Sequence, residues 1–397
     1  MRYPNKSNGN LRHDQRKQAR VPHFLFSIEI KYKNLRFLAQ NRPLKKVSLL
    51  SLLVFTASLS TFAQIGGATV YNFLRLAPSW RQTALGETNI TTIDYDPTSQ
   101  LSNPASLNPL MSRQISFSTV AYPGSVNYGT LCYVQDFGKR GTYGFGAQYI
   151  NYGTIAETDD AGNIIKANVP SNEVNIYGGG SYRFGRIFSA GLNLKVIGSW
   201  YGGYKSFGMA TDMGVSVNDT AHGIVASIVA KNLGGQLTPY SYGSGKREPI
   251  PFDLQAGFSV KFKGFPIRFH LTFHDLQRWN IRYSNPADIQ SGSLFSDTVH
   301  TSKASAGADE FFRHVIIGAE LSIKKIVYLD FSYNDQRRQE IKQATRRSIA
   351  GFAVGIGVHV KMISVGIALS PMPLHTTLAQ FTLTVNTAGF VRKKAKS

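Results

Sequence analysis

The sequence predicts an all-β fold: a transmembrane antiparallel β-barrel of about 14 strands. Three observations carry this. Apolar residues recur at every second position through most of the chain, the connections alternate in length, and no segment after residue 63 has enough consecutive apolar residues to form a spanning helix. The 37 Gly, 25 Phe and 19 Tyr beside only 17% charged residues suit aromatic strands broken by glycine. At 397 residues one large barrel accounts for the length as well as two soluble domains would.

The chain opens with a basic stretch. Residues 1–46 hold 12 Lys and Arg against Asp14 and Glu29, about half of the formal excess of +21, so the charge does not mark a nucleic-acid binder. Residues 1–44 form a non-structural leader, or lie upstream of a true start near Leu44. Lys45 and Lys46 then precede a Leu-rich run from Val47 to Phe62 and the pair Ala63-Gln64. This is the order of a signal peptide over residues 45–63, with small residues at Thr61 and Ala63 and cleavage before Gln64. The run is too short and too spotted with Ser and Thr for a membrane-spanning helix, which needs about 20 apolar residues. With Cys132 as the only cysteine, an exported product can form no internal disulfide, and this thiol reads as a small strand residue.

Residues 64–110 lack alternation and carry turn chemistry at Asp96-Pro97, Asn103-Pro104 and Asn108-Pro109. They are expected to form a plug or hatch within or beneath the barrel, which occupies residues 111–390 and is followed by a basic tail over 391–397. The alternation places strands near 115–121, 126–135, 142–151, 173–184, 187–197, 205–217, 223–231, 251–262, 266–275, 312–323, 326–334, 349–360, 363–369 and 378–386. In the eighth, Phe252, Leu254, Ala256, Phe258, Val260 and Phe262 alternate with Asp253, Gln255, Gly257, Ser259 and Lys261. Charges and glycines keep to one face.

Short turns such as Phe184-Gly185-Arg186, Lys263-Gly264-Phe265, Lys324-Lys325 and Lys361-Met362 alternate with mostly longer links, the longest near 232–250 and 276–311. Short inner turns and long outer loops are the habit of outer-membrane barrels, as is an even strand count with both termini in the periplasm. Tyr149, Tyr152, Trp200, Tyr201, Tyr204, Trp279 and Tyr283 fall near strand ends, where interface girdles lie. A soluble β-sandwich also alternates, but it does not oppose runs of Gly, Ser and Thr to an unbroken apolar band. Strands in hydrocarbon must close on themselves, because every backbone N–H and C=O needs a partner there.

Several chemical motifs do not add up to a catalytic or metal site. Ser322-Ile323-Lys324-Lys325 matches the S-x-x-K of penicillin-binding enzymes, yet it brackets a strand end and has no Ser-Asp-Asn or Lys-Thr-Gly partner. His270 and His274 have helical zinc spacing but sit on a strand, where four residues span about 13 Å. Gly178-Gly179-Gly180 lacks the helix and Lys-Ser/Thr of a phosphate loop. The basic turns at Lys139-Arg140, Arg186, Lys263, Lys324-Lys325 and Lys361 read as solvated charges or as docking points for an acidic partner or lipid headgroups. No cofactor is expected.

The run Gly66-Gly67-Ala68-Thr69-Val70-Tyr71-Asn72-Phe73-Leu74, then Ala84-Leu85-Gly86, Asp96-Pro97 and Asn103-Pro104-Ala105, resembles the amino-terminal region of the PorQ family of type IX secretion system barrels. Tyr149-Ile150-Asn151-Tyr152-Gly153, Ser206-Phe207-Gly208, Ala230-Lys231-Asn232-Leu233-Gly234 and Arg247-Glu248-Pro249-Ile250-Pro251-Phe252 extend the resemblance over most of residues 65–390. That family and the related PorV family are similar to FadL-type channels for hydrophobic compounds, whose hatch bears an Asn-Pro-Ala motif; Asn103, Pro104 and Ala105 fit that place. The tail beyond Phe390 departs from the pattern, since such barrels usually end on an aromatic residue.

The resemblance implies a non-enzymatic outer-membrane component of the attachment complex, anchoring a surface partner for cargo attachment beside PorZ-like, PorU-like and PorV-like proteins and outer-membrane lipid, with no nucleic acid. The alternative is a FadL-like channel for small hydrophobic compounds. Uptake of that kind needs an apolar lumen pocket, whereas the inward positions include Asp253, Lys261, His270, Glu320, Asp330 and His359, which favours the structural role.

Overall fold

In the computed structural model, the described residues are 69–159, 161–240, 246–281, 303–341, 349, 351–372 and 376–388. The leader, the signal peptide with Ala63 and Gln64, Tyr283 and the tail lie outside them. No helix among them is long and apolar enough to cross a membrane.

Fourteen strands form one closed antiparallel barrel in which each pairs with its neighbours in sequence and β1 pairs with β14. They are β1 (Gln114–Ala121), β2 (Asn127–Asp136), β3 (Thr142–Thr158), β4 (Ile164–Phe184), β5 (Phe188–Tyr201), β6 (Tyr204–Asp219) and β7 (Ile224–Thr238). The second half comprises β8 (Asp253–Lys261), β9 (Ile267–Phe273), β10 (Val315–Ile323), β11 (Val327–Asn334), β12 (Phe352–Val360), β13 (Ile363–Pro371) and β14 (Thr377–Asn386). Every expected strand is present, and closure rules out the sandwich.

The period of two fixes which way each side chain points. β1 alternates buried and exposed without a break over eight residues. Its Ser116 and Ser118 face inward while Phe117 is 48% exposed. Phe145, Ile176, Leu194, Val215, Ile228, Phe258, Ile317, Phe331, Ile356 and Phe381 continue the outward apolar band on other strands. The inner face carries Ser, Thr, Asn, Gln, Gly and the charged residues named above. This is the arrangement a barrel wall needs when lipid lies outside and polar groups inside.

Several expectations need correction. The third and fourth strands do not stop near 151 and start near 173: they continue past Asn151 and Asn172 as a two-stranded ribbon to Thr158 and Ile164. In the same way β7 runs on to Thr238, β5 and β6 are joined by Gly202 and Gly203 alone, and residues 312–313 close a helix, α2 (Lys303–Arg313), instead of opening β10. A further helix, α3 (Asp335–Ile341), follows β11. Pairing continued because backbone hydrogen bonding does not stop where the apolar band ends, whereas the greasy rhythm that marks a strand in the sequence does.

Finally, Tyr152 and Tyr201 do not join an outward girdle. Tyr152 donates to Glu173 Oε2 at 2.6 Å and packs on Tyr201, which packs on Tyr240 with ring centroids 5.7 Å apart. Glu173 is an inward residue, so it draws these hydroxyls to the lumen side. Tyr149, Tyr204 and Trp279 are exposed.

Candidate functional site

Residues 71–111 occupy the lumen. The segment enters at the end of the long links, where Val70 donates to the Pro249 carbonyl and Tyr71 Oη bonds to Ser206 Oγ at 2.5 Å. It leaves at the short-turn end, where Arg113 N donates to Val134 O and Thr387 N to Arg113 O. The two ends of the described chain therefore lie at opposite ends of the barrel.

Its path is held by turns that the sequence spells out. Asp96, Asn103 and Asn108 each precede a proline, and each side chain accepts a hydrogen bond from the backbone N–H two residues on, at Thr98, Ala105 and Leu110. Proline supplies φ and lacks the N–H that such a turn would leave unpaired. The result is three short 3-10 turns that form the floor of the hatch.

The Asn103-Pro104-Ala105 motif is the hinge of that floor. Asn103 Nδ2 donates to the Ile90 carbonyl at 2.8 Å and to Ser216 Oγ on β6 at 2.9 Å, tying one stretch of the hatch to another and to the wall. Pro104 and Ala105 press into a notch made by Gly191 on β5 and Gly214 on β6, which face each other directly in register. A Cβ on Gly191 would stand 2.3 Å from the Pro104 carbonyl carbon. Asn103→Ala removes the cap and both bonds, and is expected to cost about 2 kcal/mol, between a lost cap and a buried donor left unpaired. Faster hydrogen exchange across residues 90–106, with the barrel strands unchanged, would record it.

Above the floor, a short helix α1 (Trp80–Ala84) carries the two side chains that cross the lumen. Trp80 fills a hole left by Gly355 and Gly357 on β12 and Gly366 on β13, of which Gly357 and Gly366 are register partners. Arg81 points the other way and is 2% exposed. Its guanidinium is paired with Asp94 of the hatch and Glu320 of β10, with Asp330 of β11 at 3.7 Å from Nε. Tyr328 lies beneath it, 5.0 Å from Arg81 Cζ to the ring centroid. The Arg81 fork offers more donors in one plane than a lysine could, which suits three convergent carboxylates.

Gln100 is locked similarly. It donates to Gly144 O and Asn193 Oδ1, both at 2.9 Å, and Asn193 returns a bond to the Gln100 carbonyl. On the wall alone, Lys195 and Asp212 make a fully buried pair at 2.7 Å.

The remaining sequence candidates are placed as follows. His270 bonds Thr91 Oγ1 of the hatch at 2.9 Å, while His274 lies beside Asp275 and His314 at the long-link end, so the two share no ligand position. His359 stacks on Tyr95 at 3.8 Å. Ser322 lies on β10 and accepts from Lys261 Nζ on β8 at 3.0 Å, not from Lys325, which occupies the turn with φ 57°. Gly178, Gly179 and Gly180 are mid-strand in β4, Gly179 close against Leu192 and Asn193 of β5. Cys132 is buried beside Leu101 and Tyr177. No group of three or more His, Cys, Asp or Glu able to hold a metal occurs among the described residues.

Arg81 and Trp80 were not singled out by sequence reasoning. A signal existed: Glu320 and Asp330 are inward acids on adjacent strands, and the one segment that lacks alternation carries an Arg next to a Trp.

Together these features define a class, a transmembrane barrel of the outer-membrane type whose lumen is closed by its own amino-terminal segment. No family model and no curated protein matches the sequence. Among solved structures the chain is similar to the toluene transporter TodX of Pseudomonas putida, with 11% identity, 78% of this chain and 97% of that one covered, and a TM-score of 0.43. It is also similar to the CymD monoaromatic hydrocarbon channel, with 10% identity, coverages of 79% and 97%, and a TM-score of 0.45. A KdgM porin aligns over 68% of this chain and 98% of its own at a TM-score of 0.29 and 8% identity. The barrel assignment rests on the strand pairing, not on these likenesses.

Proposed function

We propose that this chain is a non-enzymatic outer-membrane barrel that works by holding a partner, as a component of the type IX secretion attachment complex. The observation that supports this best is the occupied lumen. Arg81, Trp80, Gln100 and Asn103 bind the hatch to strands on several sides of the wall, an arrangement that favours a rigid anchor over an open passage. The partners are those the sequence resemblance implies, PorZ-like, PorU-like and PorV-like proteins. In this reading the short turns face the periplasm, and the β3–β4 ribbon and the long links reach the cell surface.

A second reading is passage of small hydrophobic compounds, the activity carried by the names of the TodX and CymD barrels. What favours it in this chain is the apolar cluster at the long-link end, where Tyr71, Phe73, Leu74, Tyr128, Ile197 and Leu378 pack together. An apolar solute would meet that cluster first.

Detergent extraction of the native outer membrane, followed by pull-down and mass spectrometry, separates the two. Co-recovery of secretion-complex proteins in stoichiometric amount is expected. A barrel recovered alone, which speeds hydrocarbon entry into liposomes, would establish the channel instead.

A further inference from the structure

The charges at the short-turn mouth of the lumen do not cancel. Strand register sets a row of inward residues across four neighbours: Lys261 on β8 opposite Arg268 on β9, Arg268 opposite Glu320 on β10, and Glu320 opposite Asp330 on β11. Arg81 of the hatch reaches the acidic half of this row. Neither Lys261 nor Arg268 forms an ion pair among the described residues; Lys261 donates to Ser322 Oγ at 3.0 Å, and Arg268 to Ser259 Oγ at 3.1 Å and the Gly223 carbonyl at 3.3 Å.

Like charges directly opposite each other on paired strands repel. These two line a cavity of about 910 Å³ together with Arg81, Lys263 and Lys325, five cations against the two acids Asp94 and Glu320. A cavity with that excess of cations is an anion site by its electrostatics.

We propose that this mouth binds a phosphate-type oxyanion between Lys261 and Arg268, supplied either as free phosphate or as the headgroup phosphate of a lipid in the adjoining leaflet. A compact group with two charges and several acceptor oxygens relieves the repulsion. It also takes charge-assisted hydrogen bonds from the ammonium and the guanidinium fork, with the Ser322 and Ser259 hydroxyls in reach of the same two side chains. A single carboxylate of an acidic peptide neutralises only one of the two cations. The site opens among the short turns, whereas the apolar cluster lies at the long-link end, so it is independent of whether the barrel anchors or conducts.

The test uses the full mature chain in detergent, with inorganic phosphate titrated at constant ionic strength and thermal unfolding as the readout. Saturable stabilisation is expected. Lys261→Gln and Arg268→Gln should each weaken the apparent phosphate affinity about tenfold, the scale of one charge-assisted hydrogen bond, while Lys139→Gln, in a different turn at the same end, changes nothing. Lys261→Gln removes a repulsion and should not lower the unfolding temperature without phosphate, which separates lost binding from lost folding; Arg268 also faces Glu320, so its variant is read against its own phosphate-free unfolding temperature. Native mass spectrometry distinguishes the sources: phospholipid retained by the parent chain and lost from the double variant marks a headgroup, and none retained marks the free ion. Stabilisation that chloride reproduces, that survives in the double variant, or that an acidic peptide gives while phosphate does not, would overturn the proposal.

Discussion

Replacing Arg81 with leucine leaves Asp94, Glu320 and Asp330 facing one another in the lumen without their cation. The expected result is a loss of about 3–5 kcal/mol, the usual cost of removing one partner from a buried ion pair. The penalty comes from the carboxylates that remain. It follows that Glu320→Gln with Asp330→Asn, added to Arg81→Leu, should recover most of the loss, although this removes every ionic contact between α1 and the wall. The check is a thermal unfolding series in detergent, followed by the shift from folded to unfolded migration on gels. If the triple variant were no more stable than Arg81→Leu alone, the cluster would not be acting through unpaired charge.

Gly366→Leu is expected to have an effect of similar size by a different route. Trp80 lies so close that a Cβ at position 366 would stand 2.2 Å from its Cε2, and Gly357 is just as tight against the same ring. The indole cannot shift sideways between two strands, so the helix must leave the hole. Overpacking of this kind costs about 1–3 kcal/mol when the surroundings can give; here the loss of Trp80 packing, about 3–5 kcal/mol for truncation of a buried tryptophan, adds to it. Limited proteolysis at Arg81 reports the outcome, since release of the hatch exposes this buried residue to trypsin. Trp80→Ala in the Gly366→Leu background should remove the collision and leave only the truncation cost. Resistance to trypsin equal to that of the parent chain would show that the wall, and not the hatch, had moved.

Both predictions rest on contacts that the sequence holds in pieces. The barrel was legible because strand facing is a local property: each side chain's inward or outward direction follows from its parity along the strand. Ser116, Phe117 and Ser118 on β1, or Asp253 to Lys261 on β8, can be assigned without knowing their neighbours. The same holds for the hatch turns, where Asp96, Asn103 and Asn108 cap backbone groups two residues away. The partners of the Asn-Pro-Ala motif, Gly191, Gly214 and Ser216, lie some 80 residues or more along the chain and were not apparent.

The sequence by itself determined the strand number, the lipid-facing and lumen-facing sets, and the segment that does not join the wall. It did so because alternation and proline turns act over two or three residues. Tertiary structure alone decided that inward glycines are holes for Trp80 and Pro104, that Glu320 and Asp330 belong to an arginine more than 230 residues upstream, and that Lys261 and Arg268 are left facing each other. It also extended β3, β4 and β7 beyond the apolar rhythm. Those outcomes depend on which strands meet when the sheet closes and on what the lumen has room for, and no pattern of neighbouring residues encodes either.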